Sequence, residues 1–206
     1  MKRLLFACLL LTGAIVTGFT PQFRNMDAPY TQPYKGAELD KLTSNPKRMV
    51  VIETKLGVIK LQLFDKIAPK HVANITKLIH DKFYDGLTFH RVIEGFMIQG
   101  GDPNSNDDDL SNDGMGKPGQ VTVPAEFSAL NHKRGILSAA RTNDPNSATS
   151  QFFICVADAT FLDNKYTIYG QVTEGMDVVD KIVKLPKIVG DNPGKAAVMT
   201  RVTITE

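Results

Sequence analysis

From residue 48 onward the chain is a succession of short apolar runs separated by turn residues. Met49-Val50-Val51-Ile52-Glu53-Thr54 is rich in β-branched residues and reads as a strand. Lys55-Leu56-Gly57 turns the chain, and Val58 to Phe64 follows with partial alternation, so the two runs predict a hairpin. Between Ala68 and Lys82 the period changes. Val72, Ile75, Leu78 and Ile79 recur at helical spacing, and Pro69 sits in the first turn, where a missing N–H costs little. Phe89–Ile93 and Phe96–Gln99 predict strands around Glu94-Gly95. A polar loop covers residues 104–120, and further strands are predicted over Gly135–Arg141, Gln151–Ala157 and Tyr166–Val172. Met176–Val183 predicts a second helix. Ala197–Thr205 alternates Val198, Thr200, Val202 and Ile204 and predicts the last strand. Many strands with only two helices point to a mainly β protein closed into a barrel, which removes exposed sheet edges.

The N-terminal part reads differently. Lys2 and Arg3 precede an apolar stretch, Leu4 to Phe19, shorter than the roughly 20 residues that span a bilayer. This suits an export signal, giving a periplasmic or secreted protein, with Val16-Thr17-Gly18 as the best cleavage site. A membrane anchor through residues 4–19 is the alternative. Residues 20–47, with Pro21, Pro29, Pro33 and Pro46 and no periodicity, predict an extended linker. The compact domain is then 48–206.

Composition narrows the chemistry. The chain has 206 residues, 42% of them hydrophobic, enough for one ordinary domain and an appendage. A formal net charge of +2 gives no global argument for nucleic acid. Of the two cysteines, Cys8 lies in the N-terminal apolar run, so an internal disulfide in the domain is excluded and Cys155 reads as a small core residue. His71, His80, His90 and His132 lack metal-ligand spacing. Gly114-Met115-Gly116-Lys117-Pro118-Gly119 imitates a dinucleotide fingerprint, but it follows an acidic loop rather than a strand. Asp109 to Gly114 begins like a calcium loop, yet the twelfth position is Gln120 rather than Glu. No metal is expected.

The stretch from Phe89 to Asp102, FHRVIEGFMIQGGD, carries the most chemical information. It places one permanent cation, Arg91, and one amide, Gln99, among large apolar side chains. An apolar groove with one strong donor suits a small hydrophobic ring beside a peptide carbonyl, as in an X-Pro bond. A second stretch runs from Gly135-Ile136-Leu137-Ser138-Ala139-Ala140-Arg141 through Ser150-Gln151-Phe152-Phe153-Ile154. Together the two resemble the signatures of the cyclophilins, which are peptidyl-prolyl cis-trans isomerases acting on X-Pro bonds during protein folding. The resemblance covers about residues 48–206.

The resemblance implies a closed eight-stranded antiparallel β-barrel capped by two α-helices, acting as a monomer without a cofactor on proline-containing polypeptides. It implies Arg91, Phe96 and Gln99 as catalytic residues, Gln99 gripping the substrate carbonyl. It implies an apolar pocket for the proline ring walled by Phe96, Met97, Phe153 and Leu162, and Gln151 behind the groove. Backbone groups around Ala140 and Arg141 would pair with substrate in β fashion. Strand alternation sets Phe96 opposite to Met97, so the chain must bend near Gly95 for both to face the pocket. Two departures touch the rim: Phe161 stands where the family often has Trp, and Tyr166 where it often has His. Both keep an aromatic wall, but the missing indole N–H implies weakened affinity for cyclosporin-type ligands. The run Asp107-Asp108-Asp109 lengthens the loop beyond the bacterial pattern and is a place for partner specificity. Two rivals remain at this point: a non-catalytic proline-binding module on the same fold, and a tethered scaffold dominated by residues 1–47.

Overall fold

The structure is a computed structural model and describes residues 30–205. Residues 1–19, expected to act as an export signal, and the first part of the arm lie outside them. The elements are a single helical turn α1 (Ala37–Asp40), strands β1 (Met49–Thr54) and β2 (Gly57–Leu63), helix α2 (Pro69–His80), β3 (Arg91–Ile93), β4 (Met97–Gly100), β5 (Ile136–Ala139), β6 (Phe152–Cys155), β7 (Ile168–Glu174), helix α3 (Met176–Val183) and β8 (Met199–Ile204). β1 and β2 form the expected hairpin, with Thr54 opposite Gly57. All pairings are antiparallel, and the eight strands run β3-β4-β6-β5-β7-β2-β1-β8.

The expected closure of the barrel is not found. β3 and β8, at the two ends of that order, are not paired with each other. The seam holds one isolated bridge, Thr88 to Val198, and single backbone bonds such as Phe89 N–H to Ala197 O at 3.0 Å. Part of the cause is local. The outer edge of β3 is taken by a loop, Val92 N–H donating to Asp191 O at 2.9 Å. β3 thereby shrinks to three residues, and Phe89 and His90, expected in the strand, become part of the seam.

The sheet is apolar on both faces. Ile52, Leu61, Val92, Ile98, Leu137 and Ile154 meet Val72, Ile75, Val179 and Ile182 of the two longer helices in the main core. Their neighbours on the opposite face, Met97, Ile136, Phe153, Cys155 and Ile168, form a second cluster with Phe64 and Leu162. This is why β6 is buried at every position and shows no polar alternation. α2 starts at Pro69, and its exposed donors, the N–H groups of Lys70 and His71, are both met at 3.0 Å by the Glu126 carboxylate. Cys155 is fully buried, which raises its thiol pKa to about 12 and keeps it inert.

Residues 30–47 differ from an extended linker. They lie against the sheet, with Tyr34 and Leu42 buried in the second cluster and α1 between them. Burying those side chains against an otherwise uncovered apolar face supplies the driving force that sequence periodicity did not advertise.

Candidate functional site

Four adjacent strands present one row of side chains. Arg91 on β3 is opposite Gln99 on β4, Gln99 is opposite Phe153 on β6, and Phe153 is opposite Ser138 on β5. Directly opposed residues in antiparallel strands share a face, with Cβ atoms about 5 Å apart. The row therefore sets a guanidinium, an amide and a phenyl ring side by side. In the next row Met97 lies opposite Ile93 and Cys155.

The polar half is a chain of contacts. Arg91 Nη1 lies 3.5 Å from Gln99 Oε1, and Arg91 Nε lies 3.6 Å from Asp191 Oδ2. Gln99 Nε2 donates to Gln151 Oε1 at 2.9 Å, and Gln151 Nε2 donates to Gly114 O at 3.1 Å. The Arg91 side chain is 46% exposed. A cavity of about 440 Å³ opens over Arg91 and Gln99, bounded by Arg141, Asp113, Val189 and Asp191. His90 beneath it is buried. Burial pushes its pKa below the ordinary histidine value despite Asp102 and Asp113 nearby, which favours a neutral ring.

The apolar half is built on Gly95. Its φ of +71° turns the chain before β4, where a side chain would strain the backbone. Phe96 N–H then bonds Ile93 O at 3.1 Å, and Phe96 packs against the second cluster, which holds Met97. The ring of Phe96 packs on that of Phe161 at 5.4 Å, and Phe161 is 61% exposed at the rim. Tyr166 meets Phe153 edge-on at 5.9 Å, and the Arg141 guanidinium lies 4.3 Å from the Tyr166 ring centroid. Phe153 and Leu162 are buried in the same cluster.

The family model described as cyclophilin type peptidyl-prolyl cis-trans isomerase/CLD matches residues 49–205. The chain belongs to the cyclophilin-type peptidyl-prolyl cis-trans isomerase family. A probable peptidyl-prolyl cis-trans isomerase of Brucella suis is 44% identical over 153 residues, covering 72% of this chain and 78% of the relative. A peptidyl-prolyl cis-trans isomerase of Synechococcus elongatus is 44% identical over 149 residues, covering 68% of this chain and 96% of the relative. Among solved structures, a Cryptosporidium parvum cyclophilin type isomerase, crystallised in the presence of the dipeptide Ala-Pro, superposes with a TM-score of 0.67 at 29% identity. It covers 77% of this chain and 99% of that one.

In this cyclophilin, two expectations about the groove are refined. Ala140 N–H donates to Gln151 O at 3.0 Å, so it is already occupied and is not a donor for ligand. The Arg141 side chain is a loop clamp: Nη2 donates to Lys165 O at 2.7 Å and Nη1 to Thr142 O at 2.7 Å. Asp191 and the Gly114 carbonyl escaped sequence reasoning. Asp191 is 100 positions from Arg91 in a segment without periodicity, and a backbone carbonyl leaves no signature in sequence. His132 also escaped, dismissed for lack of metal spacing, although its ring stacks on Phe153 at 6.0 Å.

Proposed function

We propose that this groove binds an X-Pro segment and accelerates its isomerisation through Arg91, Phe96 and Gln99. The observation that carries the reading is the cross-strand row in which Arg91, Gln99 and Phe153 stand side by side. The X-Pro barrier is about 20 kcal/mol because resonance gives the C–N bond partial double-bond character, and uncatalysed crossing takes tens to hundreds of seconds. In the twisted state that resonance is lost, and the proline nitrogen becomes pyramidal and accepts a hydrogen bond. Arg91 offers a permanent charge and several N–H donors at that point. Such a donor contributes roughly 3–4 kcal/mol by analogy with oxyanion-hole deletions. Phe96, Met97, Phe153 and Leu162 hold the ring, and Gln99 directs an N–H at the neighbouring carbonyl. These steps move no electron pair to a cofactor and break no covalent bond. The solved relative crystallised in the presence of Ala-Pro supports proline-containing segments as the substrate class.

Gln151, Ala140, Arg141, Phe161 and Tyr166 form the remaining rim in this reading, and the protein acts as a monomer. The test is an isomerisation assay on an X-Pro peptide with the full chain. The expected result is faster relaxation in proportion to enzyme concentration. Folded protein that leaves the rate unchanged would favour a proline-binding module without catalysis.

The basic start and the apolar run from Leu4 to Phe19 support export, with cleavage near Gly18. N-terminal sequencing of the natively produced protein tests this. Met1 retained on membrane-bound protein would favour the anchor, and cytosolic protein would overturn export.

A further inference from the structure

The N-terminal arm meets the sheet on the face that carries the groove, and Tyr34 is its anchor. Tyr34 N–H donates to Gln171 Oε1 at 3.0 Å, and Gln171 Nε2 donates back to Tyr34 O at 2.9 Å. Gln171 is wholly buried on β7, so the arm backbone satisfies both ends of its amide. The Tyr34 ring meets Phe64 edge-on at 6.0 Å. Its hydroxyl accepts the Asn131 N–H at 3.2 Å, and the Lys133 ammonium lies 5.6 Å from the ring centroid. Tyr30 repeats the grip. Its hydroxyl donates to Val172 O at 2.7 Å, the Arg134 guanidinium lies 5.9 Å from its ring, and a Cβ on Gly135 would collide with that ring. Residues 131–135 are thus held by two aromatic residues of the arm.

The same segment carries the back of the groove. Asn131 Nδ2 donates to Asp163 Oδ2 at 2.7 Å. Asp163 Oδ1 accepts the His132 N–H at 2.7 Å and lies 2.9 Å from His132 Nδ1. His132 Nε2 lies 3.1 Å from Ser138 Oγ, and the His132 ring stacks on Phe153 at an interplanar angle of 16°. Asp163 directly follows Leu162 in sequence. Phe153 and Leu162 therefore both lean on His132 and Asp163. The arm reaches that pair through Asn131.

We infer that Tyr34 is a positioning residue for the groove: the arm fixes residues 131–133, and through His132 and Asp163 it sets where Phe153 and Leu162 stand. This rests on the reading of Phe153 and Leu162 as the proline pocket. The arm contributes no group to the bond that twists, so its effect falls on substrate binding rather than on the step that Arg91 serves. Tyr34 touches three parts of the structure. Its backbone belongs to the sheet through Gln171, its ring to the second cluster, and its hydroxyl to the loop behind the pocket. Losing the hydroxyl alone leaves the first two in place and releases the third.

The test uses Tyr34→Phe in the full chain, which keeps the ring and removes the acceptor for Asn131. Three quantities are read: KM, kcat, and the pH titration of the His132 ring by NMR. KM should rise about three- to tenfold, the factor that loss of one ordinary hydrogen bond represents, with kcat unchanged. Burial is the leading cause that holds the His132 pKa below its ordinary value, against the pull of Asp163. A loosened loop admits water, so the titration midpoint should move up. Tyr34→Ala should exaggerate both effects, and if it fails to fold Tyr34→Phe decides alone. Unchanged KM and an unmoved His132 titration in Tyr34→Phe would overturn the inference. So would a fall in melting temperature with neither quantity changed, which would make Tyr34 a stability residue only. Should the wild-type chain accelerate no prolyl peptide, the functional reading fails separately. The Tyr34 inference is then judged by peptide Kd and the His132 titration.

Discussion

Gln99 and Gln151 hold each other by their side-chain amides, Gln99 Nε2 donating to Gln151 Oε1 at 2.9 Å. The bond orients both groups. With its nitrogen turned to Gln151, Gln99 turns its oxygen toward Arg91 Nη1, 3.5 Å away. Gln151 is held in turn by the Gly114 carbonyl. A polar ladder thus runs across the site: the Gln99 oxygen faces the cation, and its nitrogen, engaged with Gln151 through one hydrogen, keeps a second N–H.

This ladder predicts non-additivity. Gln151→Ala should lower kcat/KM by about three- to tenfold, because Gln99 is then free to reorient. Gln99→Ala should cost at least as much. The double variant should lose less than the product of the two, since residues sharing one hydrogen bond couple by about 0.5–3 kcal/mol. Initial rates for the three variants decide it. Strictly multiplicative losses would mean that the amide pair does not set the geometry.

The rim makes a second prediction. Phe161 is exposed and packs on Phe96, so it fills the position of an aromatic lip without an N–H to donate. An acceptor left unpaired on a buried ligand costs about 1–3 kcal/mol. Cyclosporin should therefore inhibit this protein roughly ten- to a hundredfold more weakly than cyclophilins with Trp at that position. Phe161→Trp should recover much of that affinity with little change in kcat/KM. Side-by-side titration checks it, and equal inhibition constants would remove Phe161 from the drug-facing wall.

Stability should depend on pH in a defined direction. His71, His90 and His132 all have pKa values lowered in the folded protein, burial being the leading cause in each. The unfolded chain then binds more protons below about pH 6.5. The stability these groups contribute is complete above that value and is lost as pH falls through the lowered folded values. Glu126 and Asp163 continue the trend. Burial raises both carboxyls, but the hydrogen bonds they accept from the His71 and Lys70 region and from Asn131 and His132 outweigh it and leave them low. Their contribution is lost at still lower pH, below the ordinary carboxylate range of about 4. The melting temperature should be flat from about pH 7 to 8 and should fall steadily on acidification from about 6.5. A melting temperature that rises between about pH 6.5 and 5 would contradict this assignment.

Much of this site is legible in the sequence because it is strand-borne. Arg91, Gln99 and Phe153 each sit in a short apolar run that reads as a strand, and α2 announces itself through Val72, Ile75 and Ile79. Gly95 signals the bend that brings Phe96 round to Met97. What the sequence hides is long-range or backbone-borne. Asp191 reaches Arg91 from a loop whose own backbone also caps β3 and leaves the ladder open. Tyr34 and Leu42 lie in a proline-rich stretch whose pattern gives no face, yet they cover apolar surface on the sheet. Proline content signals the absence of a long regular element there, where only the single turn α1 forms, and not the absence of packing.

The most direct measurement of the central claim is kcat/KM for Arg91→Ala with an X-Pro peptide. The Arg91 side chain is about half exposed, and its ion pair with Asp191 at 3.6 Å is a surface contact of little weight for stability. The variant should therefore fold and melt like the wild type. Its kcat/KM should drop by about 10²-fold or more, since each 1.36 kcal/mol of lost transition-state stabilisation is a factor of ten. A folded Arg91→Ala protein within about threefold of the wild-type rate would contradict the proposed role of Arg91 in twisting the X-Pro bond.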